Sequence, residues 1–328
     1  MTSSYRSIAI ASATISYSGT CRPLVSEHGD VDPLWRESAL WRDNFEVVAL
    51  VEMASRLFTQ VYLVDLSAVT IVARRQAQQS VWAGAQDIST VSALVVRGTG
   101  GHFEIARALS AVLKSRGCCL LDDLPRFGAG TASKMSTTLT RHDRQVGSSS
   151  IVGDAQAWHY LFDGPIEPSD FPLLYKPPSG RQGRGIVVLD DPEALRSHLS
   201  SLANESDEPF LLQRMERFAH EYRALLLHGS CLGVAEKIAE DGIPANAATG
   251  AAFTPVSDGT QEMISRFVER SCPGDCLTGV DVGELTDGSL RIIEENAAPQ
   301  WQAFDAALGT NAAELIIRRL AHMCEGRA

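Results

Sequence analysis

The segment GVDVGELTDGSLRIIEENAAPQ, residues 279–300, constrains this chain most. Two apolar, β-branched runs flank Asp287-Gly288, a pair suited to a tight turn, so the segment predicts two antiparallel strands. Side chains alternate along a strand, so Glu294 and Asn296 share a face while Glu295 points away. Pairing around the turn lets Asp281 join them. Three oxygen donors at one rim suit Mg²⁺, which takes a few carboxylate or carbonyl oxygens and leaves its other positions to water and phosphate. The same residues also fit a plain hairpin end with solvated acids.

A second stretch, LLYKPPSGRQGRGIVVLDD at 173–191, sets Lys176 at the end of an apolar run and follows it with Gly180, Arg181, Gly183, Arg184 and Gly185. Glycines allow the positive φ of a hairpin turn. They also let backbone N–H groups approach phosphate oxygens, whose charge flanking arginines offset. The residues alone leave both readings open. Upstream, GAGTASKM at 128–135 imitates a phosphate-binding P-loop, but Ser133 occupies the second glycine position and Met135 replaces the metal-binding hydroxyl. That motif is rejected, and Lys134, which precedes a helical pattern, needs another explanation.

Through the first third, β-branched runs alternate with helical periodicity. Ile105, Leu109, Val112 and Leu113 form one apolar helix face, with Gly117 as its C-terminal cap. Strand, helix and strand in that order predict a parallel α/β unit. A polar, glycine-bearing stretch breaks the pattern after about residue 122. From 173 onward strands dominate, with helices expected at 192–202, 260–271 and 311–324, so this part reads as α+β on largely antiparallel sheets.

Composition limits the partners. With 29 basic and 40 acidic side chains in 328 residues, the net charge of −11 excludes a general affinity for nucleic acid or an anionic membrane. No run approaches the roughly 20 apolar residues of a membrane span, and the first residues lack a signal-peptide pattern. Seven cysteines scattered along the chain suit a reducing cytoplasm better than a disulfide framework. Cys272 and Cys276 lack a second pair at zinc spacing and are expected to be loop and core residues.

Taken together, these motifs resemble the ATP-grasp family, from about residue 94 to residue 320. Lys134 before a helix, Lys176 at a distance of 42 residues, the glycine loop, and the E-x-N-x-x-P pattern of EENAAP carry the resemblance. It implies an N-terminal parallel α/β domain (1–122), a central glycine-loop lid subdomain (123–208) and a C-terminal metal-binding subdomain (209–328). FLLQRMERFAHEYRALLLHG is similar to the family's hinge, with Gln213, Arg214, Met215 and Glu216 meeting adenine and Glu221 near the ribose. Arg223 would then face phosphate or acyl-phosphate oxygens, Lys237 and Asn246 would be the basic residue and the asparagine of the family's catalytic set, and Asp281, Glu294 and Asn296 would hold Mg²⁺. The implied activity is ATP-dependent carboxylate–amine ligation through an acyl phosphate. Lys134, Lys176 and the loop 179–185 would bind and cover ATP.

Within the family the chain is similar to the glutathione-synthetase-like group that includes ribosomal-protein glutamate ligases, and its ending ENAAPQWQAF also resembles microviridin-type peptide-maturing ligases. Ala297, Pro299-Gln300 and Arg214 depart from those patterns, which leaves open a small-molecule or peptide carboxylate and amine. Homodimers are common in the family. Arg97, at the end of a parallel strand, is expected either to hold a substrate carboxylate or to form a structural salt bridge. Trp301 would line the acceptor pocket or belong to the core. Two rivals remain: a nucleotide-binding scaffold without turnover, and an α/β binding protein that uses no nucleotide.

Overall fold

A computed structural model describes residues 5–13, 45–74, 79–122, 124, 150–163, 166–177, 185–205, 209–238, 252–272, 274, 276–296 and 299–326. In the N-terminal part, β1 (Tyr5–Ser12), α1 (Phe45–Leu57) and β2 (Phe58–Asp65) precede a small antiparallel meander. The meander comprises β3 (Val69–Val72), β4 (Ser80–Ala83) and β5 (Gln86–Asp87). Strand β6 (Ala93–Val96), α2 (Phe103–Ser115) and β7 (Cys119–Leu120) follow. The main sheet is parallel, in the order β2-β1-β6-β7. Both faces of β1 are buried, Ile8 and Ile10 in one core and Ala9 and Ala11 in another, as a sheet covered on both sides requires. The expected apolar face of α2 packs on the second core, with Leu109 and Leu113 fully buried. The helix ends at Gly117, where a φ of 85° lets the N–H groups of Gly117 and Cys118 reach the carbonyls of Lys114 and Leu113.

The central part contains β8 (Ser150–Asp154), β9 (Leu173–Lys176), β10 (Val187–Leu189), α3 (Pro192–Glu205) and β11 (Pro209–Arg214). They form an antiparallel sheet in the order β10-β9-β11-β8. Leu195 and Leu199 of α3 cover the face that carries Leu173, Tyr175, Phe210 and Leu212.

The last part has β12 (His220–Leu227), β13 (Ser230–Ile238), β14 (Ala252–Pro255), α4 (Asp258–Ser271), β15 (Leu277–Glu284) and β16 (Leu290–Asn296). Two helices, α5 (Gln302–Leu308) and α6 (Ala312–Glu325), complete it. The five-stranded sheet has the order β14-β13-β12-β15-β16, antiparallel throughout. Helix α4 buries Ile264 and Val268 against one face. On the other face Leu225, Leu227 and Leu277 join Trp301, α6 and the β1 side of the parallel sheet in one core. The N-terminal sheet and the C-terminal sheet therefore share a hydrophobic interior.

The expected helices and the strands from 173 onward are present. The meander, β8, β14 and α5 were not anticipated, because each is too short to show periodicity or, in β14, ends on proline. Cys272 and Cys276 are buried, as the core expectation requires. Among the described residues no helix is long and apolar enough to cross a membrane.

Candidate functional site

Strand register assembles the site. Arg223 pairs with Ala235 on one side and Asp281 on the other, Asp281 pairs with Glu294, and Gly279 pairs with Asn296. Directly opposed residues project to the same side of a sheet, and residues two apart along a strand share that side. Arg223, Asp281, Glu294 and Asn296 therefore line one face, with Glu221 and Lys237 beside them. The reverse face is apolar and closed by α4.

A bulge aims the acids. Val282 pairs with Ile292 while Asp281 pairs with Glu294, which leaves Ile293 as an extra residue. Ile292 is buried under α4, yet Glu294, two residues later, faces the other side. Uninterrupted alternation through LRIIEEN would have put both on one face; the inserted residue restarts the count.

The charges on this face neutralise one another. Arg223 donates from Nε to Asp281 Oδ1 and from Nη2 to Oδ2, the latter at 3.1 Å. Lys237 Nζ donates to the same Oδ2 at 3.2 Å and lies 3.8 Å from Glu221 Oε2. Burial alone would raise the Asp281 pKa, but Arg223 and Lys237 outweigh it and hold the carboxyl below its ordinary range. Burial likewise opposes the Arg223 charge, and Asp281 and Glu294 more than restore it. Two carboxylates and an amide oxygen on adjoining strands fit a hard cation, with Asp281 shared between that cation and its basic neighbours.

Glycines make room around Asp281. A Cβ at Gly279 would lie 2.7 Å from Pro299 Cβ and 3.2 Å from Arg223 Nη1, and one at Gly283 would enter the Phe218 ring. Pro299 and Phe218 were missed as neighbours of the site. The pattern G-x-D-x-G in 279–283 was the available signal, since glycine inside a strand often marks close approach of another group.

The other expected residues among those described lie on the central four-stranded sheet or just after it. Lys176 pairs with Leu211, and Gln213 pairs with Leu174, so Lys176 and Gln213 share the face turned away from α3. The loop from Pro177 to Ile186 does join hairpin neighbours β9 and β10; Gly185 closes it at a φ of 78° with Pro177 Cγ 3.0 Å from where its Cβ would be. The Met215 N–H is donated to Pro172 O at 2.8 Å, so it is not free for a ligand in this arrangement. Arg214 is exposed, and Glu216 has a buried Oε2 without a hydrogen-bond partner among the described residues. Lys134, Gly180, Arg181, Gly183, Arg184 and Asn246 lie outside the described residues.

Residues 134–320 match the family model of the RimK-like ATP-grasp domain. The chain belongs to this family. Among curated proteins, the ATP-grasp chain is 26 % identical to beta-citrylglutamate synthase B of Danio rerio, over 46 % of its own length and 37 % of that protein's. N-acetylaspartylglutamate synthase A of Mus musculus is 24 % identical over 46 % of the chain and 40 % of the relative. The chain thus aligns with about two fifths of each curated relative. Among solved structures, the ATP-grasp ligase PsnB complexed with minimal precursor superposes with a TM-score of 0.65 at 16 % identity, covering 97 % of this chain and 99 % of that one. The macrocyclase MdnC bound with precursor peptide MdnA from Microcystis aeruginosa MRC gives 0.62 at 13 % identity, covering 96 % and 99 %. At such identities the superpositions establish the fold.

Two residues of the ATP-grasp chain left open by sequence have definite places. Trp301 is fully buried and belongs to the core. Arg97, 5 % exposed, donates from Nη2 to Pro299 O at 2.8 Å, places its guanidinium 4.8 Å from the Trp301 ring centre, and has Nη1 4.0 Å from Asp122 Oδ2. Asp122 Oδ1 accepts the Leu277 N–H at 3.0 Å. Burial pushes the Asp122 pKa up to about 6 despite Arg97 and that hydrogen bond. A carboxyl raised from 3.8 favours folding most below pH 4, and this contribution is lost as pH rises through 6. Relative to Asp122→Asn, the native protein should therefore lose thermal stability between pH 4 and 6. A difference in melting temperature that stays constant over this range would refute the assignment.

Proposed function

We propose that this chain is an ATP-dependent carboxylate–amine ligase. The observation that carries the reading is the row Arg223, Asp281, Glu294 with Lys237 and Asn296 on one sheet face of a RimK-like ATP-grasp chain. Residues 1–122, 123–208 and 209–328 serve as N-terminal domain, lid subdomain and metal-binding subdomain. A substrate carboxylate oxygen attacks the γ-phosphorus of ATP, the bond to the β–γ bridging oxygen breaks, and ADP leaves. An amine nitrogen then attacks the acyl carbon, phosphate departs with its oxygen, and the amine gives up a proton to form the amide. Such a transfer needs positioning and charge neutralisation rather than a protein nucleophile.

Arg223 and Lys237 are held on Asp281 in the described structure. ATP phosphates compete for these cations and draw them toward the transferred group, which opens Asp281 oxygens to the rim. Mg²⁺ bound by Asp281, Glu294 and Asn296 would supply further neutralisation of phosphate charge. Lys134 and Lys176 contact the nucleotide, Gln213 to Glu216 line the adenine side, and Glu221 meets the ribose. Gly180, Arg181, Gly183, Arg184 and Gly185 form the cover that excludes water from the acyl phosphate, with Asn246 near the phosphates. The structural neighbours include an ATP-grasp ligase complexed with minimal precursor and a macrocyclase bound with a precursor peptide, and the curated relatives include a beta-citrylglutamate synthase and an N-acetylaspartylglutamate synthase. Both point to amide formation. Cysteine usage supports a cytoplasmic location.

ADP release should require both Mg²⁺ and an added carboxylate in a screen of amino acids, acyl amino acids and peptides, and product mass should show a new amide. No ADP release with any carboxylate, together with a thermal shift on adding Mg·ATP, would favour the scaffold reading, and ADP release independent of any carboxylate would overturn the ligase reading. No shift with nucleotide under any condition would remove both.

A further inference from the structure

We propose that Arg97 is a positioning residue for the carboxylate rim, acting through Pro299 rather than on substrate. The inference rests on the reading of Asp281, Glu294 and Asn296 as the metal-holding set. Among the described residues strand β16 is an edge strand, paired on one side with β15, and Asn296 is its last residue. The end of an edge strand is where a ladder opens most easily. Three residues beyond Asn296, the Pro299 carbonyl accepts from Arg97 while its ring fills the space left by Gly279, the cross-strand partner of Asn296.

The same unit also grips the other strand. Asp122, which neutralises Arg97, accepts the N–H of Leu277 at the start of β15. Leu277 and Pro299 lie at the open end of the β15–β16 hairpin, so two residues from the end of the parallel sheet clamp both strands there. Burial of both side chains and the Trp301 face under the guanidinium fix its direction. With Asp122 and Pro299 as partners at 5 % exposure, the guanidinium is a strut rather than an open carboxylate receptor. A planar fork can meet a carbonyl, a carboxylate and an aromatic face together; an ammonium cannot.

ADP binding by calorimetry in EDTA and across a Mg²⁺ titration tests this in native protein, Arg97→Met, Arg97→Lys and Asp122→Asn, each checked for folding. Groups that orient metal ligands typically change metal affinity by about 10- to 100-fold. Arg97→Met should lower the apparent Mg²⁺ affinity by at least about tenfold with ADP affinity in EDTA unchanged, and Arg97→Lys should recover part of the loss. A folded Arg97→Met with native Mg²⁺ dependence would overturn the proposal, as would an equal loss in EDTA and in Mg²⁺, which indicates a general structural role. If Arg97→Met does not fold, Arg97→Lys and Asp122→Asn decide: native Mg²⁺ dependence in both overturns it. A native protein that binds no ADP at all would instead sink the ligase reading, and this inference with it.

Discussion

Asp281→Asn should abolish useful turnover and also weaken the fold. The substitution removes a carboxylate from the rim and leaves Arg223 and Lys237 buried against a neutral amide. Losing one member of a buried charge cluster costs about 3–5 kcal/mol, the lower end applying here because Glu221 and Glu294 still face the cations. Loss of a preorganised electrostatic contact to a reacting group typically lowers the rate on the order of 10²- to 10³-fold. Denaturant unfolding and carboxylate-dependent ADP release measure the two effects. Adding Arg223→Gln to Asp281→Asn should restore part of the stability, since a buried charge is removed, without restoring turnover. If Asp281→Asn alone proved as stable as the native protein, the charge cluster would have no role in holding the sheet together.

Gly279→Ala should have the second largest effect. Its new Cβ would sit 2.7 Å from Pro299 Cβ and 3.2 Å from Arg223 Nη1. The proline ring cannot rotate away, so either Pro299 leaves its place or β15 bends. Overpacking of this kind costs about 1–3 kcal/mol. Displacement by about 1 Å near a reacting centre can cost on the order of 100-fold in rate. Gly259→Ala, at a helical site with nothing within 4 Å of the added methyl, should behave as native in both assays. Equal behaviour of the two alanine variants would show that Pro299 does not need its seat on β15.

Much of the site was legible because its determinants are local. The Asp287-Gly288 turn fixes which strands pair, and alternation places Glu294 with Asn296; the register bears out both, with Asp281 opposite Glu294. The periodicity of α2 and its Gly117 cap were equally readable. The bulge at Ile293 was not, since nothing in LRIIEEN distinguishes an inserted residue from a regular one. Phe218 and Pro299 escaped for a different reason. Their contacts form only when the segment between β11 and β12 and the segment after β16 fold back onto β15.

The longer helices and strands, the hairpin with its oxygen donors and the family resemblance are written in the chain, because turn chemistry, alternation and motif spacing act over a few residues. Folding in three dimensions sets the rest: Asp281 is balanced by Arg223 and Lys237, Trp301 is core, and Arg97 ties the parallel sheet to Pro299 across 202 residues. Those outcomes depend on which side chains meet in a shared interior where unpaired charge is costly, and no spacing along the chain encodes that meeting.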